Sequence, residues 1–405
     1  MTTLKEFYNG KTVLVTGDTG FKGAWLATWL TALGARVIGY ATQPPSQPSL
    51  FDACALDRHI VHVDGDVRDF ARILYTVETH RPDIVFHLAA QALVRPAYED
   101  PRGTFDVNVM GTVNVLEAAR RADSVLAAVV ITSDKVYLNV GWEWAYRESD
   151  RLGGHEAYST SKACAELVAA VYENLGFQRF ATPASSMPIA SARAGNAIGG
   201  GDWARHRIIP DIVRAVAQHT TLVVRNPGAS RPWQHALEAL SGYLWLAVRL
   251  VEDPDGFRGP WNFGPREERM HTVKEIIDEV VRQWPDANLD VSLQPEDTGA
   301  EKLILAVDCS RSRHRLGWQA TWSIDQTISA TIEWYRRFYD KGDMFAFTLE
   351  QIARYTQDAA TQGIAWACPD AGFVKMRTAV PNDPDAYRAV HREPEPRGNA
   401  EPGVR

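Results

Sequence analysis

The sequence predicts an α/β protein, a doubly wound parallel sheet followed by a smaller C-terminal α/β lobe. Three observations predict it. Through the first 180 residues short apolar runs alternate with helical patterns, as βαβ units require. A glycine-rich turn joins the first apolar run to the first helix. Past about residue 185 the alternation gives way to helices joined by loops rich in Gly, Pro and Arg, which suit the walls of a cleft.

The expected strands are Thr12–Thr16, Arg36–Tyr40, Ile60–Val63, Asp83–Leu88 and Ala127–Thr132, with helices over Ala24–Leu33 and Thr104–Arg121. Farther on, helices are expected at Ile208–Gln218, Leu237–Val251, Val273–Trp284, Val307–Leu316 and Ile324–Phe338. This divides the chain into a dinucleotide-type domain over 1–185 and a substrate lobe over 186–356 that returns some elements to the main sheet. An extension over 357–405 ends in a Pro/Glu-rich, partly disordered stretch.

At 405 residues and 45% hydrophobic content the chain can bury a large core. A net charge of -7 speaks against a nucleic-acid binder. Neither a signal peptide nor an apolar run long enough to span a membrane is apparent. Cys54, Cys164, Cys309 and Cys368 are scattered, with no paired spacing and no flanking histidines, so no metal is expected and a reducing cytoplasm fits.

Thr16-Gly17-Asp-Thr19-Gly20-Phe21-Lys22-Gly23 stands where a first strand turns into a first helix. Glycines are needed there because the turn is tight, the backbone must approach a pyrophosphate, and the helix must pack close to the sheet. The helix N-terminus then offers free N–H groups to the phosphates. This is the signature of a Rossmann-type sheet. The second strand ends Gly39-Tyr-Ala-Thr42, with neither the acid that holds an NAD ribose nor an arginine for the phosphate of NADP. NAD is the expected cofactor, with Asp66 and Val67 after the third strand facing its adenine.

Tyr158 and Lys162 lie one helical turn apart and project from one face. Oxidising a hydroxyl needs a base for its proton, and a free phenol, with a pKa of about 10, is a poor one at neutral pH. A neighbouring ammonium stabilises the phenolate. A surface Tyr and Lys on an amphipathic helix would show the same spacing; what argues otherwise is the glycine-rich turn upstream. Ser133, Asp134 and Lys135 close the strand ending at Thr132, where ligands sit in open α/β sheets. Ser133 is placed to bond the reacting oxygen, and Asp134 and Lys135 put an acid and a base side by side. A solvated salt bridge capping the strand is the plainer alternative.

These motifs resemble the CDP-glucose 4,6-dehydratases, relatives of the dTDP-glucose dehydratases and UDP-galactose epimerases within the extended short-chain dehydrogenases. The resemblance covers roughly residues 5 to 356. It rests on Thr16–Leu26, His87-Leu-Ala-Ala-Gln91, Thr132-Ser-Asp-Lys135, Ala192–Asn196, Ile198–Trp203 and Arg231-Pro-Trp-Gln-His235. It implies that Leu88, Ala89 and Ala90 line the cofactor, that Gln91, Asn196, Arg207 and Arg231 hold the nucleotide sugar, and that the enzyme is a homodimer or homotetramer. It also implies a three-step reaction: oxidation at C4, loss of water across C5 and C6 with Lys135 as base and Asp134 as acid, and return of hydride to C6. Leu138, His206 and Ala300 depart from the family pattern, where a glutamate, an aspartate and a histidine are common. A dehydratase or epimerase for another nucleotide sugar, and a non-catalytic NAD sensor, are the competing readings. Only a dehydratase needs both Asp134 and Lys135.

Overall fold

The computed structural model describes residues 2–174, 187–266, 269–294 and 305–368. Seven strands form its central sheet: β1 (Thr12–Thr16), β2 (Arg36–Ala41), β3 (Val61–Asp64), β4 (Ile84–His87), β5 (Ala127–Ile131), β6 (Ile189–Ala194) and β7 (Gly259–Phe263). They lie in the order β3-β2-β1-β4-β5-β6-β7, and every neighbouring pair is parallel. The order reverses between β1 and β4, which opens a crevice at the carboxyl ends of those strands.

The longer helices are α1 (Phe21–Ala32), α2 (Phe70–His80), α3 (Gly111–Arg121), α4 (Ala157–Asn174), α5 (Ile208–Gln218), α6 (Ala236–Glu252), α7 (Val273–Gln283), α8 (Ile324–Tyr339) and α9 (Met344–Thr361). Side-chain alternation along β1 assigns them to faces. Val13 and Val15 pack with Trp25, Leu26 and Trp29 of α1 and Leu237, Leu240 and Leu244 of α6. Leu14 points the other way, into the core of Ile73 and Val77 from α2, Val115 and Leu116 from α3, and Ala169 from α4. Covered on both faces, the inner strands read as nearly unbroken apolar runs, which is why they were legible.

The C-terminal half builds a second group of helices, α5, α7 and α8, around short pairings of Leu222–Val224 with Val291–Leu293 and of Ser230–Arg231 with His271–Thr272. Ile209, Ile212, Ile276, Val280, Ile328 and Ile332 belong to the same hydrophobic cluster that covers one face of the sheet. That half also supplies β6, β7 and α6 to the main layer. No helix among the described residues is long and apolar enough to cross a membrane.

Two expectations need correction. The segment Val307–Leu316 is helical only from Ser310. Its first residues run extended because Val307 bridges to Tyr146 and the Asp308 carbonyl accepts from the Asn262 side chain at 3.0 Å. The boundary expected near residue 356 falls inside α9, which continues to Thr361. Ile364, Ala365 and Trp366 then return to the core, with Trp366 stacked 5.7 Å from Tyr355. Residues from 369 onward, including the Pro/Glu-rich end, lie outside the described residues.

His235 caps the N-terminus of α6, its Nδ1 accepting from Leu237 N at 3.2 Å. It is wholly buried between Trp25 and Trp322, and burial pushes its pKa down to about 3. A depressed folded-state pKa means that the unfolded chain binds the proton first. Stability is therefore complete above the ordinary value of 6.5 and is lost as pH falls from there towards 3. Asparagine at position 235 keeps a cap without a titrating ring. His235→Asn should flatten the acid limb of urea-unfolding free energy by one proton, about 1.4 kcal/mol per pH unit below 6.5. An unchanged slope would show that His235 does not stay neutral.

Candidate active site

β1 delivers the glycine turn to the crevice. Gly17 has φ +79°, and a Cβ there would lie 2.8 Å from the backbone nitrogen of Ala89, so the end of β4 closes directly onto the turn. A Cβ on Gly23 would fall 2.0 Å from the Gly17 carbonyl oxygen, so the first turn of α1 rests on the loop itself. Gly20 caps α1 with no side-chain bond, leaving the first N–H groups of the helix open to an anion. This cradle, too tight for any side chain at 17 or 23, fits a dinucleotide pyrophosphate. Gly23→Ala should weaken NAD binding at least about tenfold, or about 1.4 kcal/mol, by calorimetry; unchanged affinity would show the cradle is not the phosphate site.

Asp18, in the glycine turn, packs so closely against β2 that a Cβ on Gly39 would lie 2.1 Å from its Oδ2. His62 of β3 meets that oxygen through Nδ1 at 2.7 Å. Asp18 is wholly buried and burial raises its pKa, so it braces the glycine turn against β2 and β3. Nothing local in β2 signals it. Asp66, expected at the adenine, is paired with Arg68 at 2.6 Å. Val67 is buried beneath Gly111, and its carbonyl accepts from Asn114.

β4 ends at His87, whose ring joins Thr16 Oγ1 at 2.8 Å and Thr112 Oγ1 at 3.1 Å. Burial, reinforced by the charge of Lys162, drives its pKa down to about 3, so it is a neutral brace between β1, β4 and α3. The chain then passes through Leu88, Ala89 and Ala90 beside the glycine turn. Gln91, expected to face substrate, turns inward instead. Its amide donates to Leu93 O and Thr104 Oγ1 and accepts from Leu93 N, so its polar atoms shape the loop rather than a ligand pocket. Asn108 ties that loop to α4 through Ser161 Oγ at 2.9 Å.

β5 and α4 carry the reactive groups. Ser133 caps the short turn Asp134–Val136, accepting from Lys135 N at 3.2 Å and donating to Asp134 Oδ1 at 2.9 Å. Asp134 is buried, and a Cβ on Gly195 would stand 2.8 Å from its Oδ2, so the stretch before Asn196 packs against the carboxyl. Burial raises the Asp134 pKa, while Lys135, Ser133 and Arg231 oppose it without prevailing. Asp134 is thereby shifted towards the protonated form that an acid requires.

Tyr158 and Lys162 are both buried on the inner face of α4. Lys162 Nζ donates to the Ile131 carbonyl at 3.2 Å. The expected depression of Tyr158 by Lys162 is not what dominates. Burial raises the phenol's pKa, and the downward pulls come from the Ser133 hydroxyl and from Arg207. Desolvating a phenolate costs more than these neighbours return. Lys162 itself is pushed down to about 7 by burial and by the charge of Lys22, with Glu166 opposing.

Arg207, bonded to Asp202 at 2.9 Å, brings its charge to both Tyr158 and Lys22. Lys22 lies near enough to Asp134 for the two charges to act on each other, and burial and Arg207 lower its pKa to about 8. Arg231, on the strand pair with His271–Thr272, places its charge near Asp134. The fold thus gathers Ser133, Asp134, Lys135, Tyr158, Lys162, Arg207 and Arg231, predicted from widely separated stretches. It adds Tyr243 of α6, whose ring lies 6.0 Å from Lys22 Nζ and whose hydroxyl has no partner among the described residues. Tyr243 sits in an apolar helical pattern that carries no sign of this placement.

A doubly wound parallel sheet with a glycine cradle at its switch point and a buried Tyr–Lys pair on the following helix defines an extended short-chain dehydrogenase/reductase. More narrowly, the chain belongs to the family described as GDP-mannose 4,6 dehydratase, which matches residues 14–331. It is 44% identical over 353 residues, 87% of this chain and 98% of the relative, to the CDP-glucose 4,6-dehydratase of Salmonella typhimurium. Two solved structures share the fold. The dTDP-glucose 4,6-dehydratase of Streptomyces venezuelae with NAD and TYD bound is 22% identical, covers 82% of this chain and 99% of its own, and has a TM-score of 0.68. The UDP-glucose-4-epimerase of Stenotrophomonas maltophila is also 22% identical, with coverages of 82% and 100% and a TM-score of 0.70.

Proposed function

We propose that this chain catalyses the NAD-dependent dehydration of CDP-D-glucose to CDP-4-keto-6-deoxy-D-glucose. The observation that carries the proposal is the buried Asp134 beside Lys135, set against Tyr158 at the end of β5. A simple oxidoreductase or epimerase has no use for a second acid and base there. The identity to the Salmonella enzyme along nearly its whole length supports the CDP-glucose reading.

NAD, held by the glycine cradle, would serve as the hydride acceptor at C4 and the hydride donor at C6. Tyr158 takes the proton of the 4-hydroxyl, and Ser133 bonds the same oxygen. The resulting ketone acidifies the hydrogen on C5. Lys135 removes that proton as the C5=C6 bond forms, and Asp134 gives its own proton to the departing C6 hydroxyl, which leaves as water. A proton then returns to C5, and the ketone stays at C4. Arg231 and Arg207 carry guanidinium groups suited to a pyrophosphate, and Asn196, whose carbonyl accepts from Gln234 N at 3.1 Å, follows the stretch packed on Asp134.

The test is incubation of the purified protein with CDP-, dTDP-, UDP- and GDP-glucose, with assay for a 4-keto sugar. Turnover chiefly of CDP-glucose is expected, without net build-up of reduced cofactor. No keto sugar from any donor overturns the proposal. The enzyme is proposed to pair through α3 and α4, where Met110, in the turn leading into α3, and Leu167 and Val171 of α4 are exposed apolar side chains. Leu167→Glu should convert the oligomer to monomer in light scattering; an unchanged mass would place the interface elsewhere.

A further inference from the structure

One buried cluster enters the chemistry above only through the charge of Glu166 on Lys162. Glu166 lies one turn beyond Lys162 on α4 and is 4% exposed. Its Oε1 accepts from the Thr132 hydroxyl, and its Oε2 accepts from Ser191 Oγ at 2.6 Å and from Arg193 at 2.9 Å. Arg193 also donates to the Tyr137 hydroxyl at 2.9 Å, and Tyr137 donates to Asn262 on β7 at 2.7 Å. Three strands are thereby tied to one carboxylate on the catalytic helix.

The placement of Thr132 gives the cluster a consequence beyond stability. Ile131, Thr132 and Ser133 are consecutive at the end of β5. The Ile131 carbonyl receives Lys162, the Thr132 hydroxyl is given to Glu166, and Ser133 caps the turn that carries Asp134 and Lys135. The helix bearing Tyr158 and the strand end bearing the elimination pair are thus pinned together at two points one helical turn apart. A glucose ring must meet Tyr158 through its 4-hydroxyl while its C5 hydrogen meets Lys135 and its C6 hydroxyl meets Asp134. All three contacts depend on the offset between α4 and β5, and small offsets cost large factors in rate.

We infer that Glu166 is a positioning residue: through its bond to Thr132 it sets the register between the Tyr158–Lys162 face of α4 and the Ser133–Asp134–Lys135 turn. This rests on the dehydratase reading above. Arg193 and Ser191 hold the carboxylate from the far side, so that it is anchored rather than merely paired. A buried ion pair is weak support for stability but well suited to fixing one geometry.

The test cuts the pin and leaves the ion pair in place. Thr132→Val removes the hydroxyl at similar volume; Thr132→Ser keeps it. Wild type and both variants are assayed with CDP-glucose and NAD, with thermal midpoints and NAD affinity by calorimetry as independent readouts. The expected result is a fall in kcat of at least about tenfold in Thr132→Val. Its KM should stay within about twofold, and its NAD affinity and fold should be retained. Thr132→Ser should return most of the lost kcat. A Thr132→Val enzyme with wild-type kcat overturns the inference, as does a loss expressed wholly in KM or a Thr132→Ser enzyme as slow as Thr132→Val. Should Thr132→Val fail to fold, Thr132→Ser with Glu166→Asp decides: retraction of the carboxylate by one methylene must lower kcat without KM. Failure of the wild type to make a keto sugar would count against the proposed function instead.

Discussion

Tyr158→Phe is expected to lower kcat by about 10²–10⁴-fold, the range supplied by a positioned general base, while affinity for NAD and the sugar nucleotide changes little. The phenol lies buried where Ser133 and Arg207 oppose the rise in its pKa, so its proton chemistry depends on neighbours that a phenylalanine leaves intact. The ring still fills its place on α4, and the Lys162 bond to Ile131 is untouched. The loss should therefore fall on kcat, by stopped-flow and steady-state assay, and not on binding by calorimetry. Turnover within tenfold of wild type would remove Tyr158 as the base for the 4-hydroxyl.

Lys135→Met is expected to separate the first step from the second. Methionine keeps the length and apolar stem of lysine but has no amine to take the C5 proton. Oxidation at C4 requires only Tyr158, Ser133 and bound NAD, so it proceeds, and reduced cofactor should accumulate on the enzyme to nearly one equivalent per site. The keto-deoxy product should fall by about 10²-fold or more. Absorbance of the bound cofactor and quantitation of product after a single turnover read the two steps independently. If the variant turns over normally, Lys135 is not the base. If no reduced cofactor forms at all, Lys135 serves the first step.

The features legible in the sequence are those with local physical causes. β1, β4 and β5 read as apolar runs because helices cover both faces of the sheet. The glycine turn was readable because Gly17 and Gly23 face backbone at distances that exclude a Cβ. Strands β6 and β7 were hidden for the opposite reason. β6 contains Ser191 and Arg193, both buried and both bonded to Glu166 from another element. β7 contains a proline and Asn262, which is bonded to Tyr137 and Tyr146. Polar residues paired across long sequence separations break the pattern that marks a strand.

The site divides in the same way. Ser133, Asp134, Lys135, Tyr158 and Lys162 sit within two short stretches whose residue types suggest the chemistry, and the resemblance gave Asp134 and Lys135 their roles. The resemblance supplied Arg207 and Arg231, but their effect on Tyr158 and Asp134 required the fold. The packing of Asp18 on β2, Tyr243 beside Lys22, and the Glu166 cluster have no spacing signal. Gln91 shows the converse: a residue in a motif whose side chain is consumed by its own loop.

The central claim is that oxidation at C4 is the first of three coupled steps and that the same hydride returns to C6. CDP-glucose carrying deuterium at C4 tests it most directly, with the product read by mass spectrometry and NMR. The expected product is CDP-4-keto-6-deoxyglucose with the deuterium at C6, and with a solvent-derived hydrogen at C5 when the reaction is run in labelled water. Deuterium that is lost to solvent, or that returns to C4 in an epimerised sugar, would contradict it.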